Sequence, residues 1–161
     1  MMQRIQDFLA QKRFAFIGVS RKKQDFSRAV FREFRKRGYE PIPVHPHADE
    51  IDGLTCYPRF EDIQPPVDSL LLMTTPSVSG VIARQAAASG IKRIWMHRGG
   101  GAGAVNPEAV QFCEANGIAV VAGQCPLMFL SNPVWIHRVH AFIKKLAGTY
   151  PKTGCGDVLV G

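Results

Sequence analysis

Short apolar runs alternate with amphipathic segments along this 161-residue chain. A continuous apolar run predicts a buried strand, and apolar residues that recur three and four positions apart predict a helix. The predicted strands are residues 14–18, 39–44, 67–73, 93–96 and 118–121. The predicted helices are residues 2–12, 26–37, 77–89, 107–116 and 132–146, with one helical turn near 60–63.

This order of elements predicts an α/β fold. Strands that alternate with helices favour a doubly wound, Rossmann-like parallel sheet of five strands, with helices on both faces in three layers. The uninterrupted apolar run at 67–73 is typical of a strand that is covered on both faces. On this interpretation residues 1–147 form a single domain, and residues 148–161 form a flexible C-terminal tail.

The composition excludes several classes of protein. With 46% hydrophobic and 20% charged residues, the chain can bury an ordinary core. It has no run of about 18 apolar residues, which excludes a membrane-spanning helix, and its first residues lack the apolar stretch of a secretory signal. The four cysteines are far apart and form no CxxC pair, so neither a disulfide framework nor a zinc ribbon is expected. We expect a reduced, cytoplasmic protein with no membrane partner.

The positive charge is concentrated in the first quarter of the chain. Residues 1–37 contain eleven lysines and arginines and three acidic residues, whereas residues 38–161 contain nine and ten, within a net charge of +7. An excess of this kind indicates an anionic partner.

Part of this excess has a structural interpretation in the second predicted helix. Its apolar stripe is predicted to be Phe26, Ala29, Val30 and Phe34. The cations expected on its solvated face are Arg28, Arg32, Arg35 and Lys36.

Ligands of a doubly wound sheet bind beyond the carboxyl ends of the strands, where the winding reverses. The candidate loops are therefore 18–25, 45–48, 74–77 and 97–104. The first runs Gly18-Val19-Ser20-Arg21-Lys22-Lys23 toward a helix N-terminus, where free amides and the helix dipole favour phosphate.

Within this first loop, each residue type suits a phosphate ligand. Gly18 permits a tight turn and a close approach of the backbone, so Gly18→Val is expected to block phosphate while leaving the fold largely intact. Ser20 and the cations Arg21, Lys22 and Lys23 can add charge-assisted hydrogen bonds. Ser27 is placed either to cap the helix or to meet a phosphate oxygen. An ordinary strand-to-helix turn is the alternative interpretation of Gly18.

The usual nucleotide motifs are absent. Ser20 occupies the second glycine position of GxGxxG, and the acidic residue that holds the ribose of NAD is missing about 20 residues later. The second strand ends instead at His45-Pro46, which suits a phosphorylated ribose better than a bare diol. NAD is therefore disfavoured, NADP stays open, and the lack of a Walker motif removes nucleotide hydrolysis.

The remaining loops offer further contacts. Thr74-Thr75-Pro76 can form a shelf for an adenine ring, although a helix cap with proline in the first turn is the simpler interpretation. His97 begins a glycine-rich loop and is expected to face the same cleft.

Taken in order, several motifs resemble the CoA-binding protein family, whose Rossmann-like domain is related to the CoA-binding domain of the succinyl-CoA synthetase alpha subunit. The resemblance covers about residues 12–128. The motifs are Gly18-Val19-Ser20 with Ser27, Val44-His45-Pro46, Ile51-Asp52-Gly53, Tyr57-Pro58, Asp62-Ile63, Val67-Asp68, Trp95 to Gly99, and Cys125-Pro126. His45 and His97 stand where the family usually has asparagine and glutamine.

This resemblance implies a stand-alone protein that binds coenzyme A, an acyl-CoA or a related adenine nucleotide. The phosphates would lie at Gly18–Lys23, the ribose near His45 and the adenine near Thr75-Pro76. The related synthetases need further domains to handle an acyl phosphate, so we expect a regulatory or carrier protein that is not an enzyme.

Other possibilities stay open at this stage. An NADP(H)-linked oxidoreductase of the same fold is one alternative, and a nucleic-acid-binding module is another, disfavoured because no aromatic residue interleaves with Arg21–Lys23.

The interpretation of three further residues and of the last helix is also open. Cys125 is either a reactive thiol near the CoA sulfur or a buried cysteine. His137 and His140 could share a metal but are expected to be ordinary helix residues. The last helix would pack on the sheet or on a second subunit of a homodimer.

Overall fold

The computed structural model of the protein describes residues 1–99 and 103–130. Three predictions therefore lie outside the described residues: the helix at 132–146 with its two histidines, the tail at 148–161, and the centre of the glycine-rich loop. None of the helices within the two described ranges is long and apolar enough to span a bilayer.

The described elements follow the predicted order closely. The helices are α1 (Met2–Ala10), α2 (Phe26–Lys36), α3 (Pro76–Ala88) and α4 (Pro107–Ala115). The strands are β1 (Arg13–Ile17), β2 (Glu40–Val44), β3 (Glu50–Ile51), β4 (Leu54–Thr55), β5 (Ser69–Leu72), β6 (Arg93–His97) and β7 (Ala119–Gln124). Short 3₁₀ turns occupy Phe60–Asp62, as predicted, and Pro126–Met128.

Five of these strands form one parallel sheet in the order β2-β1-β5-β6-β7. The chain moves outward from β1 to β2, returns to the other side of β1 at β5, and then continues outward. The predicted doubly wound α/β sheet is confirmed, and its winding reverses between β1 and β5. Ligand sites of such sheets lie at this reversal, beyond the carboxyl ends of the two strands.

Side chains of successive strand residues point to opposite faces, so each strand contributes to two cores. On one face, Phe14 and Phe16 of β1 pack with residues of α1 and α2. On the other face, Ala15 and Ile17 pack with residues of α3 and α4. Because both faces are covered, β5 is buried along its whole length, as its uninterrupted apolar run predicts.

The buried stripe of α2 differs from the prediction. Phe26 is 44% exposed and Ala29 is also exposed, whereas Phe31 lies with Val30 and Phe34 in the core. Rotating the stripe in this way brings Arg28 to the buried side, where it is only 3% exposed. The expectation that Arg28 lies on a solvated face is therefore wrong.

Candidate functional site

A cleft of about 450 Å³ opens where the winding of the sheet reverses. Three strand ends meet there, because Gly18 follows β1, His45 follows β2 and Thr74 lies beyond β5. Much of its wall is apolar and includes Val44, Pro46, Phe60, Val78, Val81 and Ile82. Val78 and Val81 of α3 are 45% and 54% exposed, so the cleft presents apolar surface that a ligand could cover.

Gly18 lets the ends of β1 and β5 come together. Its φ is +92°, and a Cβ built on it would lie 2.4 Å from the carbonyl oxygen of Met73. The same pair of segments is joined by the Met73 amide, which donates to Ile17 O at 2.9 Å. Only glycine fits here without a shift of the backbone. The structure thus contradicts the expectation that Gly18→Val leaves the fold largely intact.

The loop after Gly18 is held by hydroxyl groups rather than by backbone bonds alone. Val19 is fully buried and anchors it, while the Ser20 amide donates to Ser27 Oγ at 2.9 Å. The Lys22 amide donates to Ser20 Oγ at 3.1 Å. These contacts fold the loop back on the first turn of α2.

The cap of α2 is Asp25, which accepts from the Ser27 amide at 2.8 Å and from the Ser27 hydroxyl at 2.6 Å. Hydrogen bonding to Ser27 holds the pKa of Asp25 below its ordinary value. The hydroxyl of Ser27 has a single proton and gives it to Asp25, so in this conformation it has none for a phosphate oxygen. Ser27 is neither the helix cap nor a phosphate donor here; it fixes the loop.

Arg21, Lys22 and Lys23 are exposed at the turn that leads into α2. They follow Gly18, which lines the cleft, after Val19 and Ser20, and Arg21 and Lys23 line a second, polar cavity between this loop and the turn from β3 to β4. The binding of an anion by this loop stays a prediction.

His45 follows the end of β2 and lines the cleft. Its Nδ1 accepts from the His47 amide at 3.0 Å, and its own amide donates to Tyr57 O at 2.9 Å. Burial, followed by the positive charge of Arg21 and the neighbouring His47, lowers the pKa of His45. The ring is therefore neutral at pH 7 and carries its proton on Nε2, which makes it a hydrogen-bond donor without charge.

The residues after β5 divide between two roles. Thr74 lines the cleft, and its Oγ1 lies 2.8 Å from Ser79 Oγ within α3. Thr75 stands at the N-cap position of α3 and Pro76 occupies its first turn, as the helix-cap interpretation predicted, but the Thr75 side chain makes no capping hydrogen bond. Neither of the two lines the cleft, to which α3 contributes Val78 and Val81 among other residues.

His97 is placed differently from the expectation. It is 7% exposed, its ring centroid lies 5.8 Å from that of Phe26, and it belongs to the face of the sheet that α2 covers. It does not line the cleft around His45 and Thr74. Cys125 is 1% exposed in the same core, which agrees with a buried cysteine rather than a thiol at the ligand.

The sequence interpretation did not predict the contacts of Asp52 with α2. Asp52, at the turn between β3 and β4, accepts hydrogen bonds from both Arg28 and Arg32 of α2. An Asp-Gly dipeptide between Ile51 and Leu54 is a strong hairpin signal and could have placed the turn. Its pairing with α2 could not be predicted, because the partners lie on different elements.

Known proteins resemble this chain in sequence and in fold. A family model described as a CoA binding domain matches residues 12–131. The uncharacterized protein YneT of Bacillus subtilis (strain 168) is 27% identical over 114 residues, which is 71% of this chain and 82% of that protein. A hypothetical protein from Pyrococcus horikoshii OT3 superposes with a TM-score of 0.71 at 27% identity, over 78% of this chain and 87% of that chain.

A larger enzyme shares the fold. The dinucleotide-forming acetyl-coenzyme A synthetase 1 of Ca. Korarchaeum cryptofilum superposes with a TM-score of 0.60 at 22% identity. The match covers 70% of this chain but only 26% of the enzyme, so the likeness is to one part of it.

Proposed function

The chain belongs to the CoA binding domain family, and from that premise we propose that it binds coenzyme A or an acyl-CoA as a regulatory or carrier protein without chemistry of its own. The observation that carries the proposal is the position of one loop between two cavities. Gly18 lines the apolar cleft, and the exposed cations Arg21, Lys22 and Lys23 follow after Val19 and Ser20, with Arg21 and Lys23 lining a second, polar cavity.

Coenzyme A has both a charged part and an apolar part that suit these residues. Its three phosphates can lie along the cationic loop, where charge-assisted hydrogen bonds are stronger than neutral ones. Its flat adenine ring can cover the exposed side chains of Val78 and Val81. Neutral His45, with its Nε2 proton, can donate to a ribose or phosphate oxygen between the two.

The proposal of a non-catalytic role draws on the buried thiols. Cys56, Cys113 and Cys125 are 6%, 0% and 1% exposed, and burial raises the pKa of the first two. Thiols in such surroundings are poor nucleophiles, which favours a structural role for these three.

Calorimetric titration of the protein with coenzyme A, NADPH and ATP tests the ligand. We expect coenzyme A to bind more tightly than either of the others. A preference for NADPH would instead support an oxidoreductase, and affinity for generic RNA or DNA that falls steeply with salt would support a nucleic-acid module. Absence of heat with coenzyme A up to millimolar concentration would refute the proposal.

A double variant tests the loop. Lys22→Ala with Lys23→Ala should weaken coenzyme A binding by about 1–2 kcal/mol, or about 5- to 30-fold in Kd, because two exposed cations near the phosphates are lost. The matched control is Lys36→Ala with Lys92→Ala, which removes the same charge from exposed positions at the far ends of α2 and β6. Equal losses in the two double variants would remove the loop from the site.

A further inference from the structure

The hairpin of β3 and β4 is joined to α2 through Asp52, whose backbone carbonyl accepts from Arg35 Nη1 at 2.9 Å and whose carboxylate accepts from two further arginines. Asp52 and Gly53 have φ values of +49° and +78°, which is the two-residue turn that an Asp-Gly dipeptide favours. The Asp52 side chain accepts from Arg28 Nη2 and, at 3.3 Å, from Arg28 Nε. It also accepts from Arg32 Nε and Nη2 at 2.9 and 3.1 Å. Both guanidinium groups are thus fixed by one acid.

The same two arginines hold the carbonyl groups of the cationic loop. Arg28 Nη1 donates to Ser20 O at 3.0 Å, and Arg32 Nη1 donates to Lys23 O at 3.1 Å. The Arg28 side chain is only 4% exposed, so its position is set by these partners rather than by solvent. Asp52 is therefore linked to the loop through the planar guanidinium groups of Arg28 and Arg32.

This contact fixes the direction of the loop's peptide groups. In a trans peptide the N–H points opposite to the preceding C=O. Because the carbonyls of Ser20 and Lys23 face the arginines, the amides of Arg21 and Gln24 point away from them. The loop and the hairpin face each other across a polar cavity of about 460 Å³, which Arg21 and Lys23 line from the side of the loop.

We propose that Asp52 is a positioning residue for the anion-binding loop, which it holds through Arg28 and Arg32 with the carbonyls of Ser20 and Lys23 turned toward the arginines and the amides that follow them turned away. The inference rests on the proposed binding of coenzyme A at this loop. Coupling of this kind is reciprocal, so a bound ligand also stabilises the hairpin.

Asp52→Asn separates positioning from simple charge. Asparagine keeps the shape of the side chain and tolerates the positive φ, but the net charge of the protein rises by one. Electrostatic attraction alone would then strengthen the binding of a polyanion, whereas loss of the loop conformation weakens it. We expect the Kd for coenzyme A to rise about tenfold.

Asp7→Asn is the matched control. Asp7 also pairs with an arginine, Arg93, and its loss adds the same charge, but Arg93 begins β6 at the amino end of the sheet, away from the loop. The Kd of the Asp7→Asn variant for coenzyme A is expected to stay at or below the wild-type value. Binding by Asp52→Asn that is as tight as binding by Asp7→Asn would overturn the proposal.

Two further measurements keep the test independent of the ligand and of folding. Without ligand, the amides of Ser20 and Lys22 should exchange hydrogen faster in Asp52→Asn than in wild type or Asp7→Asn; unchanged exchange would overturn the proposal whether or not coenzyme A binds. Arg32→Lys keeps the charge but loses the fork that spans Asp52 and Lys23, so it should also weaken binding. Wild-type affinity in Arg32→Lys would count against the proposal, whereas failure of the wild type itself to bind coenzyme A would refute the proposed function instead.

Discussion

Gly18→Ala is the substitution whose effect the structure defines most sharply. Two effects are expected to lower the free energy of unfolding. The first is a positive φ for a residue with a side chain, about 1–3 kcal/mol. The second is steric, because the new Cβ would lie 2.4 Å from Met73 O and 2.7 Å from Met73 C. Both atoms belong to the backbone, so the ends of β1 and β5 must move apart, which adds about 1–3 kcal/mol by analogy with overpacked cores.

The chain supplies a control for the first cost alone. Gly38 has a φ of +77°, but a Cβ there would meet nothing within 4 Å. Gly38→Ala should therefore cost about 1–3 kcal/mol from backbone strain, whereas Gly18→Ala should cost about 2–6 kcal/mol in total.

Thermal unfolding followed by far-UV circular dichroism measures the difference. For a chain of this size about 1 kcal/mol corresponds to about 2–4 °C in Tm. Gly18→Ala should thus lower Tm by about 4–24 °C and Gly38→Ala by about 2–12 °C, with the larger change at Gly18. Equal changes at the two glycines would refute the close approach of Gly18 to Met73.

The paired carboxylate of Asp52 and the buried cysteine thiols each give a further prediction. Salt-bridging hydrogen bonds from Arg32 and Arg28 lower the pKa of Asp52 from 3.8 to about 2, so the stability that it contributes is present above about pH 4 and is lost as the pH falls toward 2. The free energy of unfolding, measured in urea, should therefore be lower in Asp52→Asn than in wild type by at most about 2 kcal/mol at pH 7. This difference should narrow below pH 4, and a difference that stays constant with pH would contradict the pairing. In a Cys155→Ser variant, the remaining three thiols are buried, so they should react with a thiol reagent only on unfolding, and rapid labelling of the native protein would contradict the described core.

Much of the fold could be predicted because it depends on local patterns. The uninterrupted apolar run at 67–73 belongs to a strand that is covered on both faces, and β5 lies within it. Pro76 and Asn106 stand at the starts of α3 and α4, where such residues favour helix initiation. The alternation of these elements then left few topologies for a parallel sheet.

The interpretation of α2 was less accurate for a physical reason. A helix with phenylalanine at 26, 31 and 34 offers two overlapping apolar stripes, and local spacing cannot choose between them. Packing against β1 selected the stripe that contains Phe31 and left Phe26 at the surface beside His97. Arg28 became buried as a consequence, since Asp52 was available to pair with it.

By itself, the sequence determined the order of the first four helices and of the five strands of the parallel sheet, the sheet class and the location of a cationic loop after the first strand, because each depends on neighbouring residues, but it did not predict the β3–β4 hairpin. Tertiary structure alone decided what that loop contacts. The closeness of Gly18 to Met73 and the pairing of Asp52 with α2 join segments that are far apart along the chain. No periodic pattern reports such contacts, since they exist only once the sheet and the helices have brought their side chains together.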